Sequence, residues 1–213
     1  MPKKKLEYRE VYKSLYFPKN IKVLEIPPMH FFLIDGKGDP NSEAFSEIVN
    51  NLYTLSYTLK MMLKKRKDVL DYQDYTVFPL EGVWDLDQAG RNMALLDKSK
   101  FIYTMMIRQP DFITKELAMK AMESAKKKKP HPLLEKAVFT TITEGWVVQM
   151  MHYGSYDSEE VTFHMMADFC ADNGLKRVGM KHREIYYSDP RKVETTKLKT
   201  LLRYRVEENL GRE

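Results

Sequence analysis

The spacing of apolar residues differs from one part of the chain to the next. Near the N-terminus it predicts a strand followed by a helix. Residues 21–34 form an apolar stretch that Pro27 and Pro28 interrupt, which predicts a strand broken at the two prolines. Beyond it, apolar side chains recur three or four positions apart, which is typical of an amphipathic helix. Asn41 or Ser42 is expected to cap that helix. Its apolar stripe consists of Phe45, Ile48, Val49, Leu52, Leu55 and Leu59.

The same pattern predicts two further helices and a series of strands. One helix is expected over about 112–127, stopped by Pro130, and another over about 159–173, stopped by Gly174. Apolar runs of strand length are predicted at 75–84, 101–108, 145–151, 182–187 and 200–206. The chain is therefore expected to belong to the α+β class, with antiparallel sheets.

The order of these elements is repeated. Segments 36–45 and 154–163 share one spacing, and each half of the chain reads strand, helix, strand, strand. We interpret the chain as one domain of two fused βαββ units, over about 21–110 and 111–208, after an N-terminal arm of residues 1–20. Pairing the halves would bury a common seam, and a groove between related halves is a natural place for a small-molecule ligand.

Glu184 is the first candidate for chemistry. In its predicted strand, alternation puts His182, Glu184 and Tyr186 on one face. If other aromatic rings cover this face, the carboxylate serves as a cation receptor or as a general base, and burial is expected to raise its pKa. The alternative is a carboxylate at the surface, or one in an ion pair with Arg183 or Arg203.

Composition narrows the function classes. The 213 residues carry a net charge of +5 and one cysteine, Cys170, so no internal disulfide is possible. No stretch has the character of a secretory signal or a membrane span, so we expect a soluble, cytoplasmic protein.

Lysine-rich clusters at 3–5, 64–67 and 126–129 are expected to be solvated, and no nucleic-acid-reading motif accompanies them. Metal-ligand spacings and phosphate-binding loops are also missing, so we expect no metal and no cofactor.

Several segments resemble the GyrI-like small-molecule-binding family. They cover roughly residues 20–206, and the most specific parts are the glutamate strand and the Asp-Pro-Arg turn after it. The segments that carry the resemblance are Pro79–Trp84, Phe101–Pro110, His152–Asp157, His182–Lys192 and Lys197–Arg203. The resemblance implies two βαββ repeats of the SHS2 type that enclose a central ligand cleft, with Glu184 inside the cleft among aromatic rings.

Two of these segments resemble a stand-alone subgroup in particular, namely 80–84 and 107–110. That subgroup is similar to hydrolases of cyclopropane-bearing genotoxic natural products of the duocarmycin and yatakemycin kind. The resemblance implies a detoxification hydrolase in which Glu184 is the base and Tyr103 stabilises charge on the ligand. Trp84 and Tyr103 would stack on a flat ligand, although both positions also fit ordinary core packing.

Further residues are expected to line the cleft, each with a structural alternative. Glu81 and Trp84 lie on opposite faces of an ideal strand, so a bulge at Gly82 would be needed to bring them together. His152 is a candidate to orient Glu184 or a water molecule, or else a hydrogen-bonded structural histidine. The other candidate wall residues are Met105, Met150 and Tyr187.

Two other functions remain open. In the first, the protein binds lipophilic aromatic or cationic compounds without changing them, through a carboxylate and aromatic rings. In the second, which only the family name suggests, it interacts with DNA gyrase.

Overall fold

The computed structural model describes residues 4–65 and 72–209, and these residues form both helices and strands. The helices are α1 (Tyr8–Val11), α2 (Lys13–Tyr16), α3 (Glu43–Lys64), α4 (Gln88–Arg91), α5 (Lys115–Lys128), α6 (Pro132–Lys136) and α7 (Glu159–Asp172). The strands are β1 (Lys22–Ile26), β2 (Met29–Lys37), β3 (Leu80–Leu86), β4 (Phe101–Gln109), β5 (Val138–Ile142), β6 (Gly145–Tyr153), β7 (Leu175–Arg177), β8 (His182–Tyr186) and β9 (Lys199–Glu208). Within the described residues, no helix has both the length and the apolar composition of a membrane span. Three members of the predicted lysine-rich clusters, Lys3, Arg66 and Lys67, lie outside those residues.

The first predicted strand and helix are confirmed. The break at Pro27 and Pro28 separates β1 from β2. Ser42 rather than Asn41 caps α3, because its side chain accepts a hydrogen bond from the Phe45 amide at 3.3 Å. The α+β class with antiparallel pairing is confirmed as well.

Other elements differ from the prediction for local reasons. Strand β3 begins at Leu80, because Tyr75 instead forms an isolated bridge to Leu6. Helix α5 begins later than predicted, because the Thr114 side chain caps it. The sequence pattern does not predict α6 or β7. Pro132 lies in the first turn of α6, where its missing amide hydrogen is not needed, so it starts a helix.

The first compact unit comprises Met1–Val11 and Met29–Ile142. Its antiparallel sheet has the strand order β3-β4-β2-β5. Helix α3 packs on one face of this sheet and buries Leu52 and Leu59, and α5 packs beside α3. The predicted first half ends near residue 110, whereas this unit continues through β5 because β5 pairs with β2.

The second compact unit comprises Tyr12–Pro28 and Thr143–Glu213. Its antiparallel sheet has the order β1-β6-β9-β8, and β7 pairs with the end of β9. Helix α7 packs on this sheet. The apolar core of the unit consists of Val148, Met166, Cys170, Leu202, Tyr204 and Val206. Because Leu202 in this core is the register partner of Glu184, the Glu184 side chain belongs to the sheet face that α7 covers.

The N-terminal segment, predicted as an arm, is packed and partly helical. Tyr8 is buried in the first unit, where its ring stacks on Phe78 with centroids 5.4 Å apart. Tyr16 is buried in the second unit. Scattered tyrosines in a polar stretch therefore act here as apolar anchors, which composition alone does not reveal.

The sheet face of the second unit turned away from α7 holds a buried ion network. Glu144 Oε1 lies 3.3 Å from Arg183 Nε, and Glu144 Oε2 lies 3.1 Å from Arg203 Nη1. Arg203 also donates to the Leu15 carbonyl oxygen at 3.0 Å. Alternation along β8 and β9 points both guanidiniums away from the face of Glu184. The alternative in which Glu184 pairs with Arg183 or Arg203 is therefore wrong.

We expect Glu144→Gln to lower the free energy of unfolding by about 3–5 kcal/mol, because it leaves two enclosed guanidiniums beside a neutral amide. Burial alone would raise the pKa of Glu144, but the charges of Arg183 and Arg203 outweigh it and hold the pKa below its usual value. The carboxylate therefore stabilises the fold above its unfolded pKa, and this stabilisation is lost as the pH falls toward its folded pKa. Urea unfolding at neutral and at acid pH measures both effects.

Glu207→Gln is the matched control for this variant. Glu207 lies on β9 at the surface, 4.0 Å from Lys176, so its loss should change stability by less than about 1 kcal/mol. Equal losses in the two variants would show that the ion network does not stabilise the second unit.

Candidate functional site

Glu184 lies in the middle of β8, on the face that α7 covers. As alternation predicts, His182 and Tyr186 share this face: His182 Nε2 lies 2.9 Å from Glu184 Oε1, and the Tyr186 hydroxyl donates to Oε2 at 2.8 Å. Because an ionised carboxylate only accepts hydrogen bonds, His182 carries its hydrogen on Nε2 in this arrangement. Glu184 is only 8% exposed, so its carboxylate is enclosed while both oxygens are hydrogen-bonded.

The start of α7 and the turn before it bring aromatic rings and a second carboxyl group to this face. The Tyr156 ring meets the Tyr186 ring edge-on with centroids 6.0 Å apart, and Phe163 meets His182 edge-on at 4.9 Å. Glu159 is only 6% exposed, and its Oε1 is enclosed without a hydrogen-bond partner among the described residues. We call this group the glutamate site; its members are Tyr156, Glu159, Phe163, His182, Glu184 and Tyr186.

Helix α7 places Glu159 here because its buried stripe begins with that residue. The stripe recurs at helical spacing, and its members are Glu159, Thr162, Met166 and Cys170. The three later members are small or apolar side chains that pack toward the sheet. A carboxyl group at the first position of such a stripe is buried by the same geometry, whatever its polarity.

His152 holds the turn that carries Tyr156. Its Nδ1 lies 2.9 Å from Thr162 Oγ1, and its Nε2 lies 2.9 Å from the Ser155 carbonyl oxygen. Both ring nitrogens are used within this turn and helix, and the Ser155 carbonyl that one of them contacts belongs to the residue before Tyr156. A role in orienting Glu184 or a water molecule stays a prediction.

Two groups of the glutamate site have raised pKa values. Burial raises the pKa of Glu159 to about 10, and the charges of Glu184 and Asp157 add to the shift. Burial also raises the pKa of Tyr156 to about 12, with further contributions from Glu184, Glu159 and Asp189. Glu159 and Tyr156 therefore keep their protons. Glu184 is the other carboxyl group of the site, and both of its oxygens are hydrogen-bonded.

Trp84, Tyr103 and Met105 belong to a separate cluster in the first unit. The Trp84 and Tyr103 rings have centroids 4.8 Å apart, and the Phe45 ring on α3 lies 5.9 Å from Trp84 and 5.3 Å from Tyr103. The Tyr103 hydroxyl donates to the Lys37 carbonyl oxygen at 3.4 Å. Met105 is fully buried. These contacts are those of core packing, and ligand stacking by Trp84 and Tyr103, like the catalytic role of Tyr103, stays a prediction.

The register between β3 and β4 bears on Glu81. It runs without a break from Glu81 opposite Met106 to Trp84 opposite Tyr103, so the bulge considered at Gly82 is absent. Glu81 is therefore buried on the sheet face opposite to Trp84. Gly82 has a different role, because a Cβ there would lie 2.7 Å from Trp84 Nε1 and displace the indole.

The two remaining predicted wall residues lie in the second unit. Met150 packs against the apolar core beneath α7. The Tyr187 hydroxyl donates to the Tyr16 carbonyl oxygen at 2.5 Å, and its ring centroid lies 4.6 Å from that of Phe17. Both residues are thus held by contacts within the fold, and a contact with a ligand stays a prediction for each.

Three members of the glutamate site, Tyr156, Glu159 and Phe163, are not selected by the sequence pattern as site residues. The signal for Glu159 is present, because helical spacing from Met166 and Thr162 leads back to it. It is easily read as a helix-capping acid, since acidic residues are common in the first turn. Tyr156 depends on the turn geometry, which has no comparable periodic signal.

Glu159→Gln is expected to stabilise the protein increasingly as the pH rises. Because the folded pKa of Glu159, about 10, lies above its ordinary value of 4.5, the folded protein binds a proton that the unfolded chain releases. Stability therefore falls with rising pH between these values, by at most about 1.4 kcal/mol per pH unit. The variant lacks this loss. Urea unfolding of both proteins at about pH 5 and about pH 8 measures the change in their difference.

The control for this measurement is Glu160→Gln, which alters the exposed neighbour on the same helix. It should follow the wild-type pH dependence. A difference between wild type and Glu159→Gln that stays constant over this pH range would contradict the protonated state of Glu159.

Comparison with known proteins identifies the chain's relatives. Residues 19–207 match the GyrI-like small molecule binding domain family. An uncharacterized conserved protein from Listeria innocua is 38% identical, with a TM-score of 0.86, over 95% of this chain and 100% of that one. Two structures of hydrolases from Listeria innocua are also similar. One is 36% identical with a TM-score of 0.84, over 95% of this chain and 100% of that one. The other is 37% identical with a TM-score of 0.86, over 96% of this chain and 100% of that one.

None of the curated proteins matches this chain. The match over residues 19–207 covers most of the sequence, and the three relatives from Listeria innocua are aligned over their whole lengths. The chain therefore belongs to the GyrI-like small-molecule-binding domain family.

Proposed function

We propose that the protein binds flat aromatic electrophiles that carry a cyclopropane ring and opens this ring by adding water. The observation that carries the proposal is the glutamate site, in which an enclosed carboxylate lies near the Tyr156 hydroxyl, a group that keeps its proton at neutral pH. Further support comes from the similar Listeria innocua proteins that are named hydrolases.

Glu184 is suited to the role of general base. Its two oxygens are oriented by His182 and Tyr186, and each oxygen keeps a second lone pair that can accept a hydrogen from water. Enclosure keeps bulk solvent from competing for these lone pairs and strengthens the interaction with a bound water molecule. A carboxylate held in this way contributes to catalysis by removing a proton from water as the new bond forms.

The reaction adds one molecule of water to the substrate. Glu184 takes a proton from water while the water oxygen bonds to the methylene carbon of the cyclopropane. The strained carbon–carbon bond breaks, and its electron pair moves through the conjugated ring system to the carbonyl oxygen. That oxygen becomes a phenolate, accepts a hydrogen bond from the Tyr156 hydroxyl and then takes a proton from solvent. Glu184 returns its proton to solvent, so the product is a hydroxymethyl phenol.

Rings around the carboxylate suit a flat substrate. Tyr156 is 38% exposed, whereas Tyr186, His182 and Phe163 are partly buried. The site therefore combines one accessible ring with three rings that the fold partly covers. Aromatic faces stabilise a stacked ligand by about 0.5–1.5 kcal/mol per pair beyond the area that they bury. Binding would thus place the electrophilic carbon close to the enclosed carboxylate.

Glu184→Gln is expected to lower ring opening by about 10²–10⁴-fold while ligand binding persists, because the amide keeps the shape but cannot take the proton. The measurement is the rate of formation of ring-opened product from a duocarmycin-type cyclopropane alkylator, followed by mass spectrometry against a protein-free control. Isothermal titration with the ring-opened product measures binding.

The exposed control Glu207→Gln should turn over at the wild-type rate. Undiminished turnover by Glu184→Gln would remove the basis of the proposed mechanism, because the reaction would then not use this carboxylate.

Binding without turnover is the second candidate function. It is favoured by the same observation, since an enclosed carboxylate among aromatic rings attracts lipophilic cations. For this function, the wild type would bind a flat aromatic cation such as ethidium, Glu184→Gln would bind it at least about tenfold more weakly, and no ring-opened product would form above the protein-free rate.

A further inference from the structure

Glu159 is a second enclosed carboxyl group for which the proposed hydrolysis gives no role. It is 6% exposed, it opens the buried stripe of α7, and its Oε1 has no hydrogen-bond partner among the described residues. An enclosed polar atom without a partner costs stability, so a ligand group that hydrogen-bonds to it would be bound favourably. The glutamate site thus has an unused hydrogen-bonding group in addition to its base.

We propose that Glu159 is a neutral hydrogen-bond donor that, beside the Tyr156 hydroxyl, stabilises the ligand oxygen on which negative charge develops. This role rests on the proposed hydrolysis and deepens it, because it assigns the second half of the reaction to named groups. Glu184 takes a proton from the water, while Glu159 and Tyr156 donate hydrogen bonds to the oxygen that receives the electron pair.

The neutral state of Glu159 follows from its surroundings. Burial is the largest cause of its raised pKa. Its carboxyl group also lies in the same enclosed site as Glu184, and two carboxylates in one such site repel each other strongly. A carboxyl group that stays neutral for these reasons can donate a hydrogen bond, which an ionised one cannot do.

Donors that are in place before the reaction are effective for catalysis. A hydrogen-bond donor held by the fold stabilises developing charge without having to reorganise, and an enclosed site strengthens the interaction. The proton on Glu159 also matters before the reaction, since it removes one negative charge from the site. A neutral, electron-poor ligand can then approach Glu184 without facing a second negative group.

The role predicts a loss of turnover at high pH. Ionisation of Glu159 removes the donor and adds a negative charge next to the developing oxyanion, so the rate should fall as the pH approaches about 10. Tyr156 keeps its proton to a higher pH, near 12. The titratable groups around Glu159 and its partner carboxylate are Tyr156, Asp157, His182, Glu184, Tyr186 and Asp189.

The test compares Glu159→Gln with Glu159→Leu in the full chain. Glutamine donates a hydrogen bond but does not ionise, so this variant should stay within about tenfold of the wild-type rate at neutral pH and lose the alkaline fall in rate. Leucine donates nothing, so its rate should drop by about 10²–10³-fold. Glu160→Gln, on the exposed side of α7, should keep both the wild-type rate and the alkaline fall.

Two results would overturn the donor role while leaving the base in place: Glu159→Leu turning over at the wild-type rate, or Glu159→Gln keeping the alkaline fall in rate. A wild type that opens the ring no faster than buffer would instead overturn the proposed hydrolysis, and the donor role with it. The two failures are therefore distinguishable in one set of rate measurements.

Infrared difference spectroscopy tests the protonation state without any turnover. The wild type at neutral pH should show the carbonyl band of a protonated carboxyl group, Glu159→Gln should lack it, and Glu184→Gln should keep it. A wild-type spectrum without this band, or a band that survives in Glu159→Gln, would overturn the proposal directly.

Discussion

The register between β8 and β9 determines where the charged groups of the second unit lie. Glu184 is opposite Leu202, so it lies on the face of the apolar core. Arg183 is opposite Arg203, so both arginines lie on the other face. A slip of β8 by one residue would exchange its two faces, moving the Glu184 carboxylate toward the ion network and the Arg183 guanidinium toward the apolar core. Burial of Leu202 beneath α7 disfavours that slip. Because the sheet separates Glu184 from both guanidiniums, the hydrogen-bond partners of its enclosed carboxylate are His182 and Tyr186.

Helix α7 contributes the other half of the site at a cost in stability. A leucine at position 159 would extend the apolar stripe of the helix, whereas the glutamate there is buried with an unpartnered oxygen. Proteins tolerate such local losses most readily where the group has a function, because the surrounding packing holds it in place. In this unit the surrounding packing includes the paired ions of Glu144 and the hydrogen bonds of His152.

Local patterns in the sequence predict correctly that His182, Glu184 and Tyr186 share one face of β8. Alternation depends on adjacent positions only, so His182 and Tyr186 follow from the sequence once the strand is recognised. The long helices follow in the same way. Elements that are stabilised by residues far away in the sequence cannot be predicted from local patterns. Strand β5 depends on its pairing with β2, and the bridge of Tyr75 depends on Leu6.

Side-chain roles are harder to predict than elements, because they depend on what packs above the strand. Trp84 and Tyr103 have strand positions that suit a ligand wall, yet Phe45 from α3 packs against both rings. His152 has a position that suits an orienting role toward Glu184, yet Thr162 and the Ser155 carbonyl group engage its ring. In each example the observed contact comes from a helix or turn that periodicity places only approximately.

The two compact units are interleaved along the chain, since the segment Tyr12–Pro28 of the second unit interrupts the first. During synthesis, β1 leaves the ribosome long before β6, its partner from Gly145 onward, so the early strand has an unpaired edge in the nascent chain. Completion of the second unit must therefore wait until β9, the strand that pairs with both β6 and β8, has been synthesised. For the protein engineer, no single cut yields either unit as a continuous fragment, and separating them requires rejoining the N-terminal segment through a circularly permuted gene.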